Sequence, residues 1–213
     1  ELFSKKIKKT ILLENAVDFL RFPQIKRISF NENFIYLGRL SRNKNILSLI
    51  KTFEVLCKVN PEIKLFIVGK NFDENLEELQ ETVKNKGLEH NIFFTGELSE
   101  EELQNTVEKC TYCVYASLFE GFGISVLELM SSGLIPILND IPNFRNFVKE
   151  KDSGFILDFS NPVSSSEKMI EILDLPKEKK ELISQSAQVA TKIYSWENKI
   201  NEYIKLYQKV IAK

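Results

Sequence analysis

Short apolar runs recur along this chain, each halted by a glycine or a polar turn and each followed by a longer amphipathic stretch. Phe34-Ile-Tyr-Leu37 ends at Gly38, Lys64-Leu-Phe-Ile-Val68 at Gly69, and Asn91-Ile-Phe-Phe-Thr95 at Gly96. Tyr112 to Ala116, Ile135 to Leu138 and Gly154 to Leu157 repeat the pattern. Their length and near-continuous apolarity fit strands buried on both faces. The intervening stretches have helical periodicity. Between Asn45 and Val59, residues Ile46, Leu49, Ile50, Phe53 and Leu56 share one face. Glu74 to Lys86 is a polar amphipathic helix closed by Gly87, Ser99 and Glu102 form a capping box, and a further helix runs from about Gly123 to Ser132. From Pro162 the tail reads as helix in two or three pieces. Strands alternating with helices predict an α/β fold: a doubly wound, Rossmann-like parallel sheet. In its commonest order, 3-2-1-4-5-6, strands one and four are neighbours, and ligands bind beyond their C-terminal ends.

The loops after strands one and four are also the richest in chemistry. The first reads Gly38-Arg39-Leu-Ser-Arg42-Asn-Lys44. Arg39 offers a planar fork to phosphate oxygens and Lys44 a mobile point charge, although a solvated turn has the same composition. Neither the P-loop nor the G-x-G-x-x-G fingerprint is present. The second reads Ser117-Leu-Phe-Glu120-Gly121-Phe122-Gly123 and runs into a helix. Its glycines let a ligand approach the backbone, and the amides of Gly123, Ile124 and Ser125 form an anion site at the helix N-terminus. Glu120 lies just outside that end. Glu128, at i+4 from Ile124, is a charge inside an apolar run. It is either a partly exposed residue of an amphipathic helix or a carboxylate met by a vicinal diol such as a ribose. The second case predicts a crevice open to water that keeps the unliganded carboxylate hydrated and ionised.

Composition narrows the remaining choices. The 213 residues carry 29 basic and 30 acidic side chains, a net charge of −1 that gives no global attraction to nucleic acid. No apolar stretch approaches the ~18 residues of a membrane span. Cys110-Thr-Tyr-Cys113 has C-x-x-C spacing, but a zinc site needs two more ligands and the chain has one histidine and one other cysteine. Because the pair leads into an apolar strand, it reads as two buried thiols in a reducing compartment. His90 falls on a surface loop before strand three and is no catalytic candidate. The chain opens Glu-Leu-Phe without Met, which suggests a fragment of a longer protein.

The segment FEGFGISVLE, residues 119–128, resembles the E-x7-E motif of retaining glycosyltransferase family four, whose members have the GT-B fold of two facing Rossmann-like domains. YLGRLSRNKN at 36–45 resembles that family's G-R-x4-K phosphate loop, and ENAVDFLRF at 14–22 its N-G-V-D-x-x-x-F linker, with Ala16 in place of Gly. SSGLIPIL at 131–138 and YSWENKINEYIKLYQKVI at 194–211 resemble the stretch after the E-x7-E helix and the family's closing helix. Asn146 stands where members often have Glu.

The resemblance implies the C-terminal half of a GT-B architecture: residues 1–30 an interdomain linker and return segment, 31–194 the nucleotide-sugar-binding domain, and 195–213 a helix packing back across the interdomain region. It also implies roles. Arg39 and Lys44 would hold the donor diphosphate beside Gly38. Glu128 would bond the ribose hydroxyls, and Glu120 the transferred sugar. The backbone from Gly121 through Phe122, Gly123 and Ile124 to Ser125 would hold sugar and phosphate, and Gly96, Glu97 and Leu98 would frame the base. Catalysis would rest on electrostatic stabilisation of the leaving diphosphate, with no metal or other cofactor and a nucleotide diphosphate sugar as substrate. The acceptor would be held by an N-terminal domain that this sequence lacks. The full-length protein is expected in the cytoplasm, with peripheral association at the inner face of the cytoplasmic membrane. Nucleotide-sugar 2-epimerases share the GT-B fold, but the E-x7-E spacing with Gly-Arg…Lys favours the transferase; a non-catalytic sugar-nucleotide-binding subunit is the other alternative, against which the intact set of Arg39, Lys44, Glu120 and Glu128 argues.

Overall fold

The structure is a computed structural model in which residues 13–19, Phe22 and 29–211 are described. Most of the expected linker segment, 1–30, and the last two residues of the closing segment lie outside them. Six parallel strands form one sheet: β1 (Asn33–Leu37), β2 (Lys64–Val68), β3 (Ile92–Gly96), β4 (Tyr112–Tyr115), β5 (Ile135–Asn139) and β6 (Phe155–Leu157). The order β3-β2-β1-β4-β5-β6 is the one expected from the alternation of strand and helix. Its centre is buried, including all four residues of β4 and all five of β5. Phe34 stacks on Tyr112 at 4.9 Å between ring centroids and meets Phe53 edge-on at 5.0 Å, joining β1, β4 and the first helix.

The helices are α1 (Ile46–Val59), α2 (Leu76–Asn85), α3 (Glu100–Glu108), α4 (Ile124–Ser131), α5 (Pro142–Phe147), α6 (Pro162–Leu173), α7 (Lys177–Thr191) and α8 (Trp196–Ile211). Helix α1 packs on α2 and α6, while α4 packs on α7 and β5. The apolar stripe Ile46, Leu49, Ile50, Phe53 and Leu56 is the buried face of α1. Ser99 and Glu102 form both bonds of the capping box that starts α3. The one described α-helix with no counterpart in the sequence reading is α5. Its six residues are too few to display a 3.6-residue period, and its N-cap, Ile141, makes no side-chain capping bond.

The N-terminal and C-terminal segments meet. Val17 is buried, donates its N–H to the Tyr194 carbonyl oxygen at 2.8 Å and pairs with Ser195 as a short parallel bridge. Lys199 donates to Glu14 Oε2 at 2.7 Å, and the Tyr203 hydroxyl donates to the Glu14 carbonyl oxygen at 2.8 Å. Cys57, Cys110 and Cys113 are buried and form no disulfide.

Candidate functional site

Strands β1 and β4 lie side by side, with Phe34 opposite Tyr112 and Ile35 opposite Cys113. The chain leaves both at the same edge, so the two loaded loops face each other. Two tyrosines fix this junction. The Tyr36 and Tyr115 rings pack at 5.1 Å. The Tyr36 hydroxyl donates to the Arg39 carbonyl oxygen at 2.9 Å. The Tyr115 hydroxyl donates to the Leu37 carbonyl oxygen at 2.9 Å and lies 3.2 Å from Ser125 Oγ. Thus β4 holds both the exit of β1 and the first turn of α4. Burial pushes both phenols well above their ordinary range, and the Glu120 carboxylate adds to the rise at each.

Further bonds link the loops directly. The Leu118 N–H donates to the Asn43 carbonyl oxygen at 2.8 Å, and Asn43 Nδ2 donates to the Phe119 carbonyl oxygen at 2.9 Å. Lys44 Nζ reaches Glu120 Oε2 at 2.6 Å. The other oxygen of Glu120 accepts from Ser117 Oγ at 2.9 Å. Ser117 is itself placed by Asn139, whose Nδ2 donates to the Ser117 carbonyl oxygen at 3.0 Å while its Oδ1 accepts the Phe159 N–H at 3.1 Å. Glu120 is only 9% exposed, and each of its carboxylate oxygens has a hydrogen-bond partner.

Helix α4 starts at Gly123, whose φ of 94° lies in the left-handed region and where a Cβ would sit 3.0 Å from the Phe147 ring. A side chain there would meet both strain and contact. The first-turn amides of an α-helix have no intrahelical acceptor, and here the first turn lines the same cleft as Arg39 and Lys44. The two loops enclose a cleft of about 400 Å³ lined by Gly38, Arg39, Lys44, Glu120 and the first turn of α4, with Asn15 on its rim. It offers two cations, a carboxylate and helix-terminal amides, a donor set suited to an anionic ligand that also carries hydroxyls.

The predicted residues divide accordingly. Gly38, Arg39, Lys44, Glu120, Phe122, Gly123, Ile124 and Ser125 line this cleft. Gly121 lines an adjoining depression with Asn143, whose Nδ2 donates to the Gly121 carbonyl oxygen at 2.8 Å. Arg39 is exposed, and its guanidinium lies over the Phe72 ring at 4.9 Å. Gly96, Glu97 and Leu98 do not line the cleft. They stand at the end of β3 on the same sheet edge, where the Gly96 carbonyl oxygen accepts the Gly69 N–H at 2.8 Å. Glu128 departs from expectation. It is 8% exposed, whereas Ile124 is 43% exposed, and it does not line the cleft. At this burial the carboxylate is not open to water as the sequence reading expected. His90 is exposed just before β3, as expected. Among the described residues, no group of three His, Cys, Asp or Glu side chains is placed to hold a metal ion.

Sequence reasoning did not identify Tyr36, Tyr115, Ser117, Asn139 or Asn15. The signal available for the tyrosines was a polar-tipped ring near the C-terminal end of each of two otherwise apolar neighbouring strands.

Comparison with known proteins bears on the family and the fold. The sequence profile described as Glycosyl transferases group 1 matches residues 21–189. A GDP-mannose:cellobiosyl-diphosphopolyprenol alpha-mannosyltransferase from Xanthomonas oryzae pv. oryzae is 27% identical over 94% of this chain and 53% of its own length. A mannosylfructose-phosphate synthase from Agrobacterium fabrum is 38% identical over 46% of this chain and 23% of its own length. The chain thus spans about half the length of the first of these relatives and less of the second. Among solved structures, a mutant of TarM from S. aureus in complex with fondaparinux, alpha-GlcNAc-glycerol and UDP superposes with a TM-score of 0.84 at 20% identity, covering 97% of this chain and 41% of that one. The C-terminal domain of a glycosyl transferase group 1 family protein from Francisella tularensis superposes with a TM-score of 0.72 at 21% identity, covering 84% of this chain and 99% of that domain. The sheet and its flanking helices match the Rossmann-like fold of GT-B glycosyltransferases. By sequence profile and by fold, this chain belongs to the glycosyl transferases group 1 family.

Proposed function

We propose that this chain is the donor-binding half of a retaining glycosyltransferase, which transfers a hexosyl group from a nucleotide diphosphate sugar to an acceptor held by a separate N-terminal domain. The observation that carries this reading is the convergence of Arg39, Lys44, Glu120 and the α4 N-terminus on one cleft at the topological switch point of the sheet. Arg39 and Lys44 bind the diphosphate, and the amides of Ile124 and Ser125 complete its cradle. Glu120 accepts hydrogen bonds from the sugar hydroxyls. The backbone of Gly96, Glu97 and Leu98 borders the base, and Glu128, which does not line the cleft, is assigned to the ribose by the E-x7-E resemblance alone. As the bond from sugar to phosphate breaks, charge grows on the diphosphate, and preorganised cations and amides stabilise it without reorganising. Residues 195–211 lie against the segment around Glu14 and Val17, consistent with a return helix at an interdomain junction. No described helix is long and apolar enough to cross a membrane.

The relatives favour nucleotide sugars with hexosyl groups: they include a GDP-mannose enzyme, and the similar solved structures include UDP complexes. A thermal-shift panel of UDP, GDP and ADP with their hexosyl derivatives tests the reading, because a ligand selective for the folded state raises the melting temperature. The account expects at least one nucleotide sugar to raise it in a saturable manner. No shift with any of them at millimolar concentration would contradict it.

A further inference from the structure

In the unliganded protein both oxygens of Glu120 are engaged, Oε2 by Lys44 at 2.6 Å and Oε1 by Ser117 at 2.9 Å. Lys44 is at the same time a cation of the proposed diphosphate cradle. One ammonium therefore faces two anionic claims. The pair is sheltered, with the two side chains 17% and 10% exposed, so water screens it weakly. The carboxylate cannot readily retreat. Ser117 is fully buried, and its backbone is tied by Asn139, which is tied in turn to Phe159.

Resting on the donor-site reading above, we infer that Glu120 discriminates a sugar-bearing nucleotide from the bare nucleoside diphosphate by contesting Lys44, with Ser117 as the positioning residue that holds the carboxylate in that contest. A bare diphosphate brings negative charge next to a fixed carboxylate and must share a cation that is already paired. A nucleotide hexose brings the same phosphates together with hydroxyl groups. These donate to Glu120 and replace the contact that Lys44 surrenders, so the two anions no longer compete for one donor. The spent nucleotide is left facing an anion it cannot satisfy, which favours its departure after transfer.

The test is calorimetric titration of the 213-residue chain with GDP and GDP-mannose, and with UDP and UDP-glucose. Wild type, Glu120→Gln and Ser117→Ala are compared, and melting curves verify that each is folded. Glu120→Gln keeps the shape and removes the charge. It is expected to bind the bare diphosphate about fivefold or more tightly than wild type, and its preference for the sugar-bearing form over the bare one should fall by a larger factor. Ser117→Ala releases one carboxylate oxygen and should shift the same ratio in the same direction by less. A change that is merely structural would weaken both ligands together and leave their ratio unmoved. If wild type binds but the bare diphosphate gains nothing in either folded variant, the discrimination by Glu120 is overturned and the donor site stands. If wild type binds neither these pairs nor ADP and its hexosyl derivatives, the donor-site reading falls and this inference falls with it.

Discussion

Lys44 and Arg39 share a charge but not a setting. Lys44 is half-buried and already points across the cleft at Glu120, whereas Arg39 is exposed and rests on Phe72. Lys44→Ala should therefore weaken nucleoside diphosphate binding by roughly 1.5–3 kcal/mol, the range for charge-assisted hydrogen bonds. Arg39→Ala should weaken it by less, because its guanidinium has further to travel. Neither should alter binding of the uncharged nucleoside. Calorimetry with both ligands checks this, and equal losses for nucleotide and nucleoside would count against a phosphate role. Glu128 makes a separate prediction. If it reads the ribose, a 2′,3′-dideoxy nucleotide should bind wild type and Glu128→Leu about equally, while the ordinary nucleotide binds the Leu variant more weakly. The residue types at the site were legible in the sequence because glycine, cation and carboxylate spacing is local. Their pairing was not. Lys44 and Glu120 are 76 residues apart, and the burial of Glu128 depends on how α4 is rotated against the body, which an i+4 spacing does not determine.

At the scale of elements, the strands were legible because each is a short apolar run with a distinct stop, and the stops have structural reasons. A Cβ on Gly69, whose φ is 138°, would stand 2.0 Å from the Gly38 carbonyl oxygen. The ends of β1 and β2 therefore touch backbone to backbone, beside the cation loop. Gly69→Ala must push that loop away, and we expect it to destabilise the protein by at least ~2 kcal/mol, as backbone-incompatible substitutions do. The loop carries Arg39 and Lys44, so nucleotide affinity should fall as well. Urea denaturation gives the first quantity, and an unchanged midpoint would show that the loop yields without strain. Helix α5 was illegible for the opposite reason: a six-residue helix beginning at a proline has no period to read. Its Phe147 nevertheless supports Gly123 and hence the start of α4.

For the whole molecule, the core contains several groups that must stay protonated. Burial pushes the Cys57 thiol up from 9.0 to about 11, and it raises Tyr36, Tyr112 and Tyr115 well above 10.0. In the unfolded chain these groups lose protons near their ordinary values, so the unfolded state gains charge first as pH rises. Their stabilising contribution is complete below about pH 9 and declines above it. The melting temperature should therefore drop between pH 9 and 11, and Cys57→Ala should soften the early part of that drop; a flat profile across the range would contradict the burial. The central claim is the position of the donor, and a crystal structure of the chain grown with GDP-mannose or UDP-glucose tests it most directly. The diphosphate oxygens should lie within hydrogen-bonding distance of Lys44 Nζ and the Ile124 and Ser125 amides, with the sugar against Glu120. A nucleotide bound elsewhere, for example in the cavity of about 300 Å³ between β6, α6 and α7 lined by Phe155 and Ile172, would contradict it.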